Sequence, residues 1–408
     1  MQTRALRRKR LALRIVAAGA AVFVLMPARA QESPQGRFTF ELRPRYNHIE
    51  ESDKPDVTRG GTVRILAGYA SAPIDGTMRI VLEGIHVDHI DAHFNDDGNN
   101  FATSPYPLLP DPKYTGINQA YVDFTGIESA RVRAGRQVVR MDNQRWVSDN
   151  DFRQTPQVFD GVSARYGTPF GVELYGAYFG QVRDTSGDES DLNLTLLHAA
   201  WNPLPGHALV AYGYFHDQPS NGAFTGFANS SYRVAGVRAE GTAFRAGEFD
   251  FPYEAEIAWQ RPYAGGDSRI DARYWRLGGG AGWRQSVLRY DYEVKGSNAG
   301  AYGVQMPLTD FYAFNGWTLH FFNTPRQGLR DGWITLKAGW SDFTFYGESH
   351  RFRSDYGSID FGKELDVGLT YSWNENMTLR LQHARYDPGP DTPDPTVRKV
   401  WVTFTWTY

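Results

Sequence analysis

The 408-residue sequence has no cysteine. That excludes a disulfide framework and thiol catalysis. After residue 30 there is no apolar run of the length a membrane-spanning helix requires. Any membrane crossing must then be made by strands closed into a barrel. Positive charge is short as well. The first 30 residues hold seven basic and no acidic side chains, leaving 36 basic against 46 acidic and a net charge of −10 with His neutral. No nucleic-acid partner is expected, because it would call for clustered positive charge. There is no nucleophile elbow and no S-x-x-K motif, and no cofactor is expected.

What is present begins with a leader. Arg4, Arg7, Arg8, Lys9 and Arg10 form a basic n-region. Ile15 to Met26 is an uncharged apolar run, ended by Pro27 and the small-x-small triplet Ala28-Arg29-Ala30. Residues 1–30 therefore read as a signal peptide, with a mature chain from Gln31. Residues 31–408 read as one domain, with no linker and no 20–50-residue repeat.

The mature chain is dominated by a period of two. In the closing stretch V-W-V-T-F-T-W-T-Y, Val400, Val402, Phe404, Trp406 and Tyr408 share one face, with Trp401, Thr403, Thr405 and Thr407 on the other. Near the start, Phe38, Phe40, Leu42 and Tyr46 alternate with Thr39, Glu41, Arg43 and Arg45. Leu288, Tyr290, Tyr292 and Val294 alternate with Arg289, Asp291, Glu293 and Lys295. A soluble core would not host four charges on one strand face, whereas a wet lumen would. Aromatics make up 14% of the chain and Gly 42 residues, as lipid-facing and lumen-facing rows together require. Eighteen such segments are countable, among them 317–322, 333–341, 362–373, 377–386 and 399–408, with 342–361 as a loop. Their connections alternate long and short from end to end. The fold class expected is all-β: a transmembrane antiparallel β-barrel of about 18 strands, short turns and both termini in the periplasm, enclosing an aqueous channel.

One stretch concentrates the chemistry. Between Gly135 and Val162, Arg136, Arg140, Arg145 and Arg153 are interleaved with Asp142, Asp149, Asp151 and Asp160. Guanidinium groups bind carboxylates in two-pronged fashion and stay charged at any working pH. A ring of them in a pore selects anions. These side chains are the expected constriction, with Arg136 and Arg153 foremost; the alternative is a solvated external loop laced with its own ion pairs. Arg131 and Arg133 would add charge to the lumen wall. Glu364 and Asp366 share one strand face and read as counter-charges, or alternatively as a catalytic carboxylate pair. His86, His89 and His93, with Asp88 and Asp91, do not match a standard zinc spacing. Asp96-Asp97-Gly98-Asn99 could hold calcium loosely through oxygen ligands, but the whole stretch is read as a solvated turn, so no metal is expected.

The same stretch, G-R-Q at 135–137 followed by an Asp/Asn-plus-Arg cluster, Arg153-Gln154 and Phe159-Asp160, resembles the alginate-export family of outer-membrane channels. G-K-E-L-D-V-G-L-T-Y at 362–371 is similar to a strand of that family, and F-Y-A-F-N-G-W at 311–317 resembles its aromatic loop before a strand. The resemblance implies a monomeric 18-stranded barrel passing an anionic saccharide, a uronate chain, through an Arg-lined constriction in the Gram-negative outer membrane. The aromatic C-terminus resembles the closing strand that the barrel assembly machinery recognises. A porin for small organic anions and an outer-membrane hydrolase barrel are the rival functions.

Overall fold

The chain closes on itself. The computed structural model describes residues 35–408 except 101 and 219–225, so the expected signal peptide lies outside the described residues. Six strands open the barrel: β1 (Arg37–Glu51), β2 (Thr58–Ala70), β3 (Met78–His93), β4 (Tyr114–Phe124), β5 (Ala130–Gln137) and β6 (Val158–Gly167). Six more follow: β7 (Val172–Arg183), β8 (Glu189–Leu204), β9 (His207–Asp217), β10 (Tyr232–Ala246), β11 (Phe249–Pro262) and β12 (Ala272–Trp283). The last are β13 (Ser286–Lys295), β14 (Leu329–Trp340), β15 (Phe343–Arg353), β16 (Asp360–Ser372), β17 (Met377–Pro388) and β18 (Val397–Thr407). Each pairs with the next, and β18 pairs antiparallel with β1, in register at Tyr46↔Val402. The seam ends with Phe40 and Tyr408 exchanging backbone hydrogen bonds of 3.1 and 2.9 Å. Closure leaves no sheet edge, which is what backbone groups need in lipid.

The period of two is realised as two faces. Phe38, Leu82, Val162, Tyr178, Leu197, Leu288, Tyr290 and Leu381 stand exposed on the outside. Each gains about 1.5–3 kcal/mol when an apolar medium covers it. Arg43, Arg45, Glu254, Glu256, Asp291, Glu293, Thr403 and Trp401 are buried on the inside.

The strand count matches the expectation of eighteen, but one strand lies elsewhere than expected. Residues 317–322 belong to the 296–328 connection and not to a strand. There Asn315, Gly316 and Leu319 all take positive φ, at 58°, 85° and 59°, which breaks an extended run. The missing strand is β15, inside the stretch expected to be a loop. It follows β14 after only Ser341-Asp342, and Ser341 at φ 53° makes that tight turn possible. The long/short alternation holds except at the start, where 52–57 is shorter than 71–77: connections such as 205–206, 247–248, 284–285 and 341–342 sit at one end, and 94–113, 138–157 and 296–328 at the other.

The interior also departs from a purely aqueous lumen. On β8 the inward row is Leu192, Leu194 and Leu196. With Tyr212, Tyr214 and Tyr274 these form a packed apolar core that receives Val139, Met141, Trp146 and Val147 from the 138–157 connection and Met306 and Leu308 from 296–328. Two long connections fold inward because they carry apolar side chains that this wall can bury.

Candidate functional site

The 138–157 connection reaches opposite walls of the barrel. In a ring of 18, β1 and β10 lie nine places apart in either direction. On the β1–β2 side, Arg43 donates to the Gln154 side chain (3.1 Å) and to the carbonyls of Asp151 (2.7 Å) and Arg153. Arg45 donates to the carbonyl of Phe152 (2.7 Å), and Arg64 pairs with Asp151 at 2.8 Å. On the far side, Arg238 of β10 grips Asp142. Asn143 donates to Glu254 and Glu256 of β11, both at 3.1 Å. Arg145 forms a two-pronged pair with Glu293 of β13. A second connection, 296–328, is sewn to the first. Ser148 N donates to the Leu308 carbonyl (2.8 Å), Asp310 N to the Gln144 carbonyl (3.0 Å), and Asn150 Nδ2 to the Thr309 carbonyl (2.6 Å).

Where the two connections meet, Phe152 stacks on Tyr312 with ring centroids 3.6 Å apart. The Arg45 guanidinium lies 4.4 Å from the Phe152 ring and that of Arg153 5.5 Å from the Tyr312 ring, a cation–π arrangement. Trp401 of β18 closes the group edge-on to Phe152 at 5.7 Å. Arg45, Thr403 and Arg380 lie in register across β1, β18 and β17, and Arg45 donates to the Thr403 hydroxyl at 3.0 Å. Lys399, four residues before Thr403 on β18, donates to the Thr318 carbonyl at 2.6 Å. Among the described residues, none of Arg45, Arg153, Arg380 and Lys399 has a carboxylate within ion-pair distance. This wall carries positive charge without direct ion-pair partners.

The acidic members of the inserted connections are tuned by their surroundings. Burial alone would raise the Asp151 carboxyl, but Arg64, Arg43 and Arg140 bring it down to about 2. Burial, with the charges of Asp149 and Asp151, lifts Asp310 to about 6. Arg140 is the most open member of 138–157, with its side chain 53% exposed, and it pairs with Asp149 at 2.6 Å.

The other expected site residues are dispersed. Arg136 and Asp160 sit on the outward face, in register with each other and on the same side as the exposed Val162. They form a two-pronged pair near the long-connection end, to which Glu189 adds a contact at 2.6 Å. Strand parity is the reason: Gln137 points in, so Arg136 points out. Arg131 and Arg133 sit at the short-turn end of β5, where Arg133 pairs with Asp123 (2.8 Å) and covers Tyr121 at 3.8 Å. Among the described residues, Glu364 and Asp366 form no ion pair with the Arg cluster of 136–153. Glu364 accepts from the Thr318 amide (2.7 Å) and hydroxyl (2.5 Å), and Asp366 from the Trp317 amide (3.2 Å). His86 meets Thr115 at 2.7 Å, His93 meets Asp91 at 2.8 Å, and His89 meets the Asp111 carbonyl at 3.0 Å, so the three rings have separate partners. Arg380 and Lys399 were not among the expected site residues, and Arg45 was expected only as a basic residue of the lumen face. Their signal was legible as basic residues on the polar face of strands, but which of them lacked a counter-charge was not.

A closed 18-stranded barrel with an apolar outer face and a polar, loop-bearing lumen is the architecture of outer-membrane porins. The family model described as alginate export matches residues 37–303, and the chain belongs to the alginate export family. No curated protein matches it by sequence. Solved structures share its fold. Pseudomonas aeruginosa OpdO superposes with a TM-score of 0.68 at 13% identity, over 92% of this chain and 97% of that one. Acinetobacter baumannii OccAB2 gives 0.69 at 14%, over 91% and 98%. Pseudomonas aeruginosa OpdK with vanillate gives 0.65 at 15%, over 91% and 99%.

Proposed function

We propose that this protein is a monomeric outer-membrane channel that passes carboxylate-bearing saccharides, uronates of the alginate type, by passive diffusion. The observation that carries the reading is the wall of Arg45, Arg153, Arg380 and Lys399, four cations without carboxylate partners beside the Phe152–Tyr312 stack. Guanidinium groups take a carboxylate in a planar, two-pronged grip. An aromatic face takes the C–H face of a pyranose. In a narrow passage with low-dielectric walls such charges attract anions even though the mature chain is net negative, because distant charges are screened beyond about 8–10 Å. The protein acts as a conduit and not as a catalyst. Glu364 and Asp366, the carboxylate pair that could suggest a hydrolase, accept hydrogen bonds from the Thr318 and Trp317 amides of the 296–328 connection.

A second reading, a porin for small organic acids, is favoured by the filling of the lumen. Two connections and an apolar core occupy much of the interior, which suits a short solute better than an extended polymer. Single-channel conductance in a planar bilayer separates the two. Uronate oligomers should block at lower concentration than the monomer if the chain takes saccharide polymers. Equal block by monomer and oligomer supports small acids, and absence of anion selectivity with no block by either sinks both readings.

A further inference from the structure

On the lumen side of β14–β16 lies a buried constellation that the transport reading does not use. His350 of β15 is 3% exposed, Glu348 of the same strand 7%, and Asp366 of β16 0%. One ligand-capable atom from each can be chosen so that all three lie within 4.8 Å of one another. Two further carboxylates, Asp331 and Glu364, are buried beside them. Among the described residues none of these four carboxylates forms an ion pair with a Lys or Arg; the ion-pair contacts of Asp331, Glu348 and Asp366 all go to His350. Four buried carboxylates facing one imidazole are short of positive charge.

The imidazole itself is aimed. Its ring lies nearly parallel to those of Trp333 (5.6 Å) and Phe352 (5.5 Å). Its Nδ1 lies 3.0 and 3.1 Å from the two oxygens of Asp331. A histidine that donates Nδ1–H to a carboxylate presents the lone pair of Nε2 on the opposite side, which is how metal-ligating histidines are oriented. Nε2 of His350 makes no hydrogen bond, and neither does Oδ1 of Asp366, although both are buried. Nε2 lies 3.5 Å from Glu348 Oε2 and 3.9 Å from Asp366 Oδ2. Those separations are long for hydrogen bonds, but close to the roughly 3.3–3.4 Å edge of a tetrahedron of ligands about 2.0–2.1 Å from a zinc-sized ion. Glu348 is oriented in turn: its Oε1 accepts from Thr335 (2.8 Å) and Tyr346 (2.5 Å), leaving Oε2 toward the histidine.

We propose that Glu348, His350 and Asp366 bind a divalent transition-metal ion of the zinc class, with Asp331 as the carboxylate behind the histidine. An imidazole ligand disfavours Ca2+ and Mg2+, which take oxygen. The ion supplies the missing positive charge and ties β15 to β16. Asp366 also holds the Trp317 amide, and Glu364 the Thr318 amide, so the same acidic patch seats the 296–328 connection.

The test uses the intact barrel in detergent, stripped with chelator and titrated with Zn2+ by calorimetry, with metal content read by mass spectrometry. One ion per chain is expected, bound more tightly than Ca2+, with X-ray absorption of the wild-type protein showing a single imidazole and oxygen ligands at about 2.0–2.2 Å. His350→Gln should abolish this site, and Asp331→Asn should weaken it about 10–100-fold. A His86→Gln/His89→Gln/His93→Gln variant should bind as the parent does. The proposal is overturned if the wild-type barrel takes up no ion at micromolar Zn2+, or if binding vanishes with the three loop histidines. It also fails if 15N-histidine spectra of the Zn2+-loaded wild type show both nitrogens of His350 protonated, because an imidazolium between Asp331 and Glu348 would then fill the role. The absorption and 15N measurements need no variant, so a variant that does not assemble leaves the outcome decidable.

Discussion

Arg145 of the inserted connection and Glu293 of β13 form a two-pronged ion pair, Nε to Oε1 at 2.8 Å and Nη2 to Oε2 at 2.5 Å, with side chains only 2% and 1% exposed. Asn315 of the second connection bonds to both partners, at 2.8 and 2.9 Å. One ion pair therefore docks both inserted segments on the same wall.

Removing one partner of such a pair leaves the other charge buried. Arg145→Met should cost about 3–5 kcal/mol of local stability and free the 138–157 connection from β13. The expected result is a noisier, larger open-channel conductance and a lower thermal midpoint in detergent. Adding Glu293→Gln to the same variant should recover part of the midpoint, since no unpaired charge then remains. An equal loss in single and double variants would show that the pair does not hold the connection.

Selectivity should depend on which arginines are changed. Arg45→Ala with Arg153→Ala removes two cations that lack carboxylate partners. The reversal potential should move toward cations, and each lost charge-assisted contact should cost a bound carboxylate roughly 1.5–3 kcal/mol, or about ten- to hundredfold in block. Arg136→Ala should leave both readouts unchanged, because Arg136 faces outward and is paired with Asp160 and Glu189. A selectivity change in the Arg136 variant alone would place the filter elsewhere.

Asp310 should make the passage sensitive to pH. Burial lifts its carboxyl to about 6, so it is negative at pH 7.5 and neutral at pH 5. It lies on the connection that carries Tyr312, whose amide donates to it at 3.1 Å. Protonation removes a negative charge near the cationic wall. Anion selectivity should therefore rise as pH falls through about 6, and Asp310→Asn should hold the high-selectivity value at both pH values. Asp151, at about 2, contributes no step in this range.

Topology can be read by labelling, since the chain has no cysteine to interfere. Ser186→Cys, in the 184–188 connection, should react with an impermeant maleimide on intact cells. Pro205→Cys, in the 205–206 turn, should react only after lysis. The reverse pattern would mean that the barrel is threaded the other way.

The barrel was legible because its determinants are local. Alternation of apolar and polar side chains, turn residues, and long/short spacing are written along the chain, and closure follows once every backbone group must be paired in lipid. Even the error was local. Residues 317–322 look extended in sequence, and only the positive φ values at Asn315, Gly316 and Leu319 show otherwise. That Arg140, Arg145 and Arg153 lie within the barrel was also readable, as an Arg/Asp-rich connection too long to be a plain turn.

Which charges remain free was decided by the tertiary structure alone. Arg145 and Arg153 are eight residues apart on one connection, yet one is neutralised by Glu293, 148 positions away, and the other lies over Tyr312, brought in by a different connection. Arg136 was lost to the site by a single step of strand parity. Arg45 and Arg380 came together only because β1 and β17 both flank β18. Sequence spacing sets which face a side chain takes. The ion pairs that cancel or spare its charge depend on contacts across the lumen, between residues that no local pattern connects.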